Sequence, residues 1–131
     1  MTDTVNTFKD KIIGLGVGGG AIIVLGYLAQ IQFEWWSIAL VAFFVGCVVG
    51  KTPVLSFTYG TAAVTLLWTT YAGILTNANN NLMSDTMGNM FGGTLSGTQL
   101  TLFSGIIGGL VGGFAAMAGA QLRELINDRK A

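Results

Sequence analysis

Apolar residues fill four intervals of the chain that contain no charged side chain. These intervals are Ile12–Phe33, Trp35–Gly50, Thr52–Ser84 and Thr86–Leu122. A helix needs roughly 20 apolar residues to cross a hydrocarbon layer of about 30 Å. The third interval becomes polar after Leu75, and the first half of the fourth interval is polar as well. We therefore predict four helical spans, at about 12–32, 35–51, 54–75 and 99–121.

The second predicted span is the shortest, and its ends decide how it is interpreted. Trp35 and Trp36 stand at one end, where aromatic side chains commonly lie at a membrane–water interface. Lys51 stands at the other end, and a long lysine side chain can reach from an apolar layer to water. We therefore expect this segment to cross a membrane, with Trp35, Trp36 and Lys51 as interface anchors.

The positions of the charged residues predict the orientation of the spans. If both termini lie on one side, the segments on that side are 1–11, 51–53 and 122–131, and they hold all six basic residues. The loops on the other side hold only Glu34 and Asp85. Because Lys and Arg are enriched in cytoplasmic segments, we predict that both termini are cytoplasmic. The expected location is the plasma (inner) membrane, with 122–131 as a cytoplasmic tail.

The two ends of the first predicted span also carry signals. Thr7, followed three residues later by Asp10, fits a capping box that would start this helix. The sequence Leu28-Ala29-Gln30 lacks the small residues of a signal-peptide cleavage site. We therefore expect the first span to be retained as a helix.

The polar segment 76–98 contains a short amphipathic pattern. Leu82, Met83 and Met87 recur at helical spacing, and Met90 and Phe91 continue the pattern. Polar residues such as Ser84 and Asp85 stand between these apolar positions. This pattern predicts a short helix on the outer membrane surface, begun by Asn81 and stopped by Gly92-Gly93. Methionine adapts to irregular partner surfaces, but it is equally suited to lipid contact. The possible partner surface consists of Met83, Met87, Met90 and Phe91.

The composition agrees with a membrane protein and excludes several functions. Of the 131 residues, 52% are apolar and only 9% are charged, whereas soluble domains have about 25% charged residues. The zero net charge argues against nucleic-acid binding. The chain has no histidine and a single cysteine, Cys47, which excludes a histidine-dependent site and an internal disulfide. We predict one domain over 1–131, an all-α integral membrane protein with a four-helix transmembrane bundle.

Chemistry that depends on ionisable side chains is missing from the predicted spans. No charged residue lies in the interior of any span, although proton relays and ion-coupled transporters place such residues there. Glu34 and Asp85 are single carboxylates, so no acid–base pair is apparent. We therefore expect no enzymatic activity, no cofactor and no metal site.

Glycines at a spacing of four are the most frequent pattern inside the predicted spans. Small residues at this spacing lie on one helix face and let two backbones approach closely. They would pack the helices of one bundle, or one row would form an oligomer face. Gly16 and Gly20 form one such pair. The predicted helix-packing residues are Gly14, Gly18, Gly46, Gly50, Gly105, Gly109, Gly113, Gly108 and Gly112.

A row of threonines on the third span permits two interpretations. Thr58, Thr61, Thr65 and Thr69 are three or four residues apart, so their hydroxyl groups share one face. Threonine hydroxyls in a helix bond to a carbonyl one turn back or to a neighbouring helix, which would make this a packing face. Alternatively, the row is a possible pore-lining wall.

These features favour a non-catalytic function. Our leading hypothesis is a structural or accessory subunit that packs through glycine-rich faces into a homo-oligomer or a larger membrane complex. Its partners would be membrane lipids and either copies of itself or other membrane subunits, without nucleic acid. The alternative is a passive, holin-like oligomeric pore lined by the threonine row, and an uncoupled small-molecule carrier is a third hypothesis.

Overall fold

The computed structural model describes residues 2–130, and all regular structure in this range is helical. Met1 and Ala131, which end the two predicted cytoplasmic segments, lie outside the described residues. The expectation of an all-helical protein is confirmed. The five helices are α1 (Thr2–Gln32), α2 (Ser37–Val49), α3 (Pro53–Ala78), α4 (Leu82–Met90) and α5 (Gly97–Lys130).

Two of the helices are long and apolar enough to cross a membrane. They are α1, with 31 residues, and α5, with 34 residues. At 1.5 Å per residue, they are about 46 and 51 Å long. The apolar helix α2 has only 13 residues, which is about 20 Å. The 26 residues of α3 reach the necessary length, but its polar residues make it less apolar than α2.

The first helix starts earlier than the apolar pattern predicts. Residues 2–11 contain neither glycine nor proline, and they continue α1 ahead of the apolar stretch. The expected capping box is wrong, because Thr7 lies inside the helix and its hydroxyl donates to the carbonyl oxygen of Asp3 at 2.8 Å. Asp3 instead occupies the first turn, where a carboxylate interacts favourably with the positive end of the helix dipole.

The other helix ends follow local turn chemistry. Pro53 begins α3, where its missing N–H group has no cost, and the hydroxyl of Thr52 accepts a bond from the N–H of Leu55 at 3.3 Å. Asn81 precedes α4 in a left-handed conformation and makes no side-chain cap bond. Gly92 and Gly93, with φ of 78° and 71°, follow α4 and end it. The predicted tail continues α5 as far as Lys130.

Around the bundle, the order of the helices is α1, α2, α5 and α3. The helices α1 and α5 therefore lie at opposite corners, and their backbones do not contact each other. Contacts along the helices show that α1 runs parallel to α3, and that α2 runs parallel to α5 in the opposite direction. One end, called the terminal end, therefore holds residues 2–11, the turn 50–52 and residues 122–130. The opposite end, called the α4 end, holds the turn 33–36 and residues 79–96.

Small residues form much of the bundle interior, while large apolar residues lie outside. The buried residues of α5 are six glycines and two alanines. On the outer side of the same helix, Phe103, Ile107 and Phe114 are each more than half exposed. Soluble helices bury their large apolar side chains in a core. The reverse arrangement is typical of helices packed in lipid, where small residues allow close backbone contact.

Candidate functional site

The threonine row of α3 and one glycine row of α5 form a single interface. A Cβ atom built on Gly105 would overlap the hydroxyl of Thr69, and one built on Gly109 would overlap that of Thr65. The pair Gly113 and Thr61 repeats this arrangement one turn further along. Each of these threonines therefore occupies the space left by one glycine of the antiparallel helix. We call this contact the Thr–Gly seam.

The second glycine row of α5 also packs within the chain, beside the Thr–Gly seam. The six-membered ring of Trp68 lies on Gly108, and the side chain of Val64 lies on Gly112. Gly60 of α3 faces the carbonyl oxygen of Gly112 in return. Both rows of α5 therefore contact α3, and neither row is open in the single chain.

The glycines of α2 bring its backbone against α5. A Cβ on Gly46 would overlap the carbonyl oxygen of Ala116, and a Cβ on Gly50 would lie 2.7 Å from the Cβ of Ala120. In return, Gly119 of α5 packs on the backbone of Phe43. The predicted packing residues of α2 therefore lie at a helix–helix contact, and the sequence left their partner unspecified.

The two glycine pairs of α1 that are spaced four residues apart differ, because one is packed and the other is open. Gly14 packs against Leu55 and Gly18 packs on the ring of Tyr59, both on α3. Gly16 and Gly20 are exposed, and a Cβ built on either residue would meet no atom within 4 Å. The open pair is therefore the part of the predicted glycine pattern that has no partner in the described chain.

The threonine row does not line an opening in the described bundle. Three of its members, Thr61, Thr65 and Thr69, contact glycines of α5 in the Thr–Gly seam. The fourth, Thr58, is exposed, and its hydroxyl donates to the carbonyl oxygen of Val54 at 3.0 Å. These contacts correspond to the packing interpretation of the row in the single chain.

The predicted interface anchors lie at opposite ends of the bundle. Trp35 and Trp36 are 67% and 48% exposed in the turn at the α4 end. Lys51 is exposed in the turn between α2 and α3 at the terminal end. The anchors flank the two ends of α2, which is about 20 Å long.

A capping interaction of Arg123 is not apparent from the sequence. Its Nη1 atom donates to the carbonyl oxygens of Val48 and Gly50, at 2.7 and 3.0 Å. These carbonyls end α2, where a cation interacts favourably with the helix dipole. Arg123 thereby ties α5 to the turn between α2 and α3. No local pattern could reveal this bond, because it joins residues from distant parts of the sequence.

The helix α4 turns its small residues toward the bundle. The hydroxyl groups of Ser84 and Thr76 are 3.1 Å apart, and Gly97 of α5 packs on Ser84. Gly88 packs against the carbonyl oxygen of Leu95. The predicted partner surface is exposed, and two of its members, Met83 and Met87, border the space between α3, α4 and α5. The other two members are Met90 and Phe91.

Two adjoining cavities open at the α4 end. The first, of about 290 Å³, lies between α1, α3, α5 and the turn that holds Trp35. The second, of about 390 Å³, lies between α3, α4 and α5. They share Ala72, Leu75 and Ser104 as lining residues and therefore lie side by side; together we call them the cleft.

Within residues 2–130, no three His, Cys, Asp or Glu side chains come together in a group able to hold a metal ion. Cys47 is a half-buried free thiol on α2. The geometry therefore offers helix-contact surfaces and a cleft as candidate sites. Comparisons with protein-family models, with curated proteins and with solved structures found no match to this chain.

Proposed function

We propose that this chain is a non-catalytic membrane subunit that associates through an exposed glycine face. The observation that carries the proposal is the distribution of residue sizes: the buried face of α5 consists of glycine and alanine, while many large apolar side chains of the bundle are exposed. In water, such an exterior would expose far more contiguous apolar surface than a soluble monomer tolerates. In a lipid bilayer the same exterior is solvated by acyl chains.

The proposed arrangement in the membrane has four crossings, made by α1, α2, α3 and α5. The two longest helices supply the strongest support, and α3 is antiparallel to α5 along the Thr–Gly seam. The 20 Å of α2 would cross with the help of its flanking turns, of Lys51 and of local thinning of the bilayer. Both termini would be cytoplasmic, because the terminal end carries all six basic residues and the α4 end carries none.

The association surface that we propose is the open glycine pair of α1. Gly16 and Gly20 are one helical turn apart, and Ile12 and Val24 continue the row on either side as exposed apolar residues. A second helix could approach closely at the two glycines and pack against the larger side chains beyond them. We propose a second copy of this chain as the partner, and another membrane subunit is the alternative occupant.

Replacing Gly16 and Gly20 together by isoleucine tests this proposal. Each new side chain has room within the single chain, so the bundle should fold, while close approach of a second helix is blocked. Chemical cross-linking in native membranes should show dimers of the wild type and a roughly tenfold lower association constant in the variant, which corresponds to about 1.4 kcal/mol.

Gly73→Ile is the matched control, because Gly73 also has no atom within 4 Å of a built Cβ. It should dimerise as the wild type does. A monomeric wild type that co-purifies with no other chain would contradict the proposal, and so would an equal dimer content in all three proteins.

The competing proposal is a passive, holin-like pore lined by the threonine row. It requires α5 to leave α3, because three of the four threonines contact α5 glycines in the described bundle. The double substitution Thr65→Val and Thr69→Val separates the two proposals. A pore should change its conductance in planar bilayers, whereas a packing surface should change only in stability.

A further inference from the structure

The short helix α2 leaves the bundle incomplete at the α4 end. Ile38, near the start of α2, lies at the level of Gly26 on α1 and Leu67 on α3, because the side chains of both residues lie close to Gly26. Beyond this level α1 continues to Gln32 and α3 continues to Ala78. Toward the terminal end four helices pack together, whereas beyond this level only α1, α3 and α5 surround the space between them. This space is the first cavity of the cleft.

The short helix α4 borders the cleft without filling it. Its bond from Ser84 to Thr76 and its contact with Gly97 hold it beside α3 and α5. The side chains of Met83 and Met87 form a wall of the second cavity. Methionine is flexible and adapts its shape to an apolar ligand. The cleft thus extends from Trp68 near the bundle axis to the methionines of α4.

The lining of the cleft defines the chemistry of its ligand. Trp35, Trp68, Tyr71 and Leu75 provide apolar surface, while Gln30 and Ser104 provide uncharged polar groups. Neither cavity is lined by a charged side chain. A charged group would lose its hydration here without gaining a partner. A long apolar ligand with an uncharged polar segment fits these surroundings.

We propose that the cleft holds one aliphatic chain of a lipid from the outer leaflet. The chain lies against Trp68 and Leu75, and its uncharged ester end lies near Gln30 and Ser104. The chain belongs to a phospholipid, because the lining offers no partner for the charged carboxylate of a free fatty acid. This inference rests on the proposed membrane location, but it is independent of self-association through α1.

Lipid retained by the purified protein tests the inference. Ala72 lines both cavities, so a phenylalanine at this position fills the cleft. Thr70→Phe is the matched control, because Thr70 is an exposed residue of the same helix. Mass spectrometry of protein extracted with mild detergent should find lipid on the wild type and on Thr70→Phe, and several-fold less on Ala72→Phe. Release of a free fatty acid in place of a phospholipid would contradict the assignment.

A fluorescence measurement covers the case in which Ala72→Phe fails to fold. In protein with Trp35→Phe and Trp36→Phe, the remaining indole is that of Trp68, beside the cleft. Vesicles with bromine in the middle of the acyl chain should quench it, and Ser104→Phe should reduce this quenching severalfold. Equal lipid retention by Ala72→Phe and Thr70→Phe, or quenching that Ser104→Phe leaves unchanged, would overturn the inference. If the protein remains in the membrane fraction in that case, the proposed location stands without the lipid site.

Discussion

At the scale of single residues, the close contacts between helices depend on glycines, which have no side chain. In the Thr–Gly seam, each glycine of α5 leaves room for one threonine of α3, and Gly109 illustrates how closely the helices approach. A methyl group added there would overlap the hydroxyl of Thr65 and would lie 3.0 Å from the carbonyl oxygen of Thr61. A neighbouring backbone cannot move aside as a flexible side chain can. The identity of this glycine is therefore determined by packing.

We expect Gly109→Ala to destabilise the protein by about 1–3 kcal/mol, the usual cost of overpacking a core. Gly73→Ala is the matched control, since Gly73 lies in α3 with open space around it. The control should be as stable as the wild type or up to about 1 kcal/mol more stable, because alanine favours a helix over glycine. Equilibrium unfolding in mixed micelles measures both changes. Equal effects of the two substitutions would show that the seam is not tightly packed.

A second residue-scale prediction concerns Arg123, whose guanidinium group bonds to two carbonyl oxygens at the end of α2. Arg123→Leu keeps an apolar stem and removes both bonds, so we expect a loss of about 1–2 kcal/mol in unfolding free energy. Arg129→Leu removes an exposed charge on the same helix and should cost less than about 0.5 kcal/mol. If the two variants unfold alike, the bonds of Arg123 contribute nothing to stability.

At the scale of helices, the sequence predicts which segments are helical better than it predicts how long each helix is. The charge-free intervals locate α1, α2, α3 and α5, since a long apolar stretch has few other stable conformations in lipid. They do not locate the first ten residues of α1, because a polar helix and a polar coil have similar composition. They also overestimate α2, because Trp35 and Trp36 are apolar residues that belong to the preceding turn.

For the short helix α4, the periodicity of apolar residues predicts the helix but not the face that contacts the bundle. The recurrence of methionine and the pair Gly92-Gly93 predicted a helix here, and this prediction is confirmed. A pattern of apolar and polar positions does not say which face contacts the bundle. In the structure Ser84 contacts α3 and α5, while Gly88 packs on the carbonyl oxygen of Leu95 in the segment that follows α4, because small residues permit the closest approach. The apolar face of α4 borders the cleft and is otherwise exposed.

A test at this scale uses the bond between α4 and α3. Ser84→Ala removes the hydroxyl that faces Thr76 at 3.1 Å, so α4 should detach more often from the bundle. Amide hydrogen exchange should become severalfold faster in α4 while α3 and α5 keep their protection. The control is Thr86→Ala, since that hydroxyl bonds only within α4, to the carbonyl oxygen of Leu82. Unchanged exchange in Ser84→Ala would show that packing alone holds α4.

At the scale of the whole molecule, the few charged residues lie at the two ends of the bundle. Lys9, Lys11 and Lys51 share the terminal end with the basic residues of the last turns of α5. Glu34 and Asp85 lie at the α4 end. The belt between the ends is apolar on the outside and rich in small residues inside. This distribution supports a bundle whose middle lies in hydrocarbon and whose ends lie in water.

The sequence predicts that glycine faces bring helices together, but it does not predict which helices these faces join. A spacing of four identifies glycine faces, yet it does not say which helix each face meets, because every such face has the same local chemistry. Only the fold separates packed Gly14 and Gly18 from open Gly16 and Gly20. The cleft could not be predicted, since it results from the different lengths of α1, α2 and α3.

In the proposed topology, the bundle crosses a membrane four times and the α4 end lies outside. Cysteine labelling in intact cells tests it most directly, with Cys47 replaced by alanine and a single cysteine placed at Asn80 or at Lys51. A membrane-impermeant maleimide should label Asn80→Cys in intact cells, and it should label Lys51→Cys only after the membrane is opened. Labelling of Lys51→Cys alone in intact cells, or of both positions without any difference, would contradict the account.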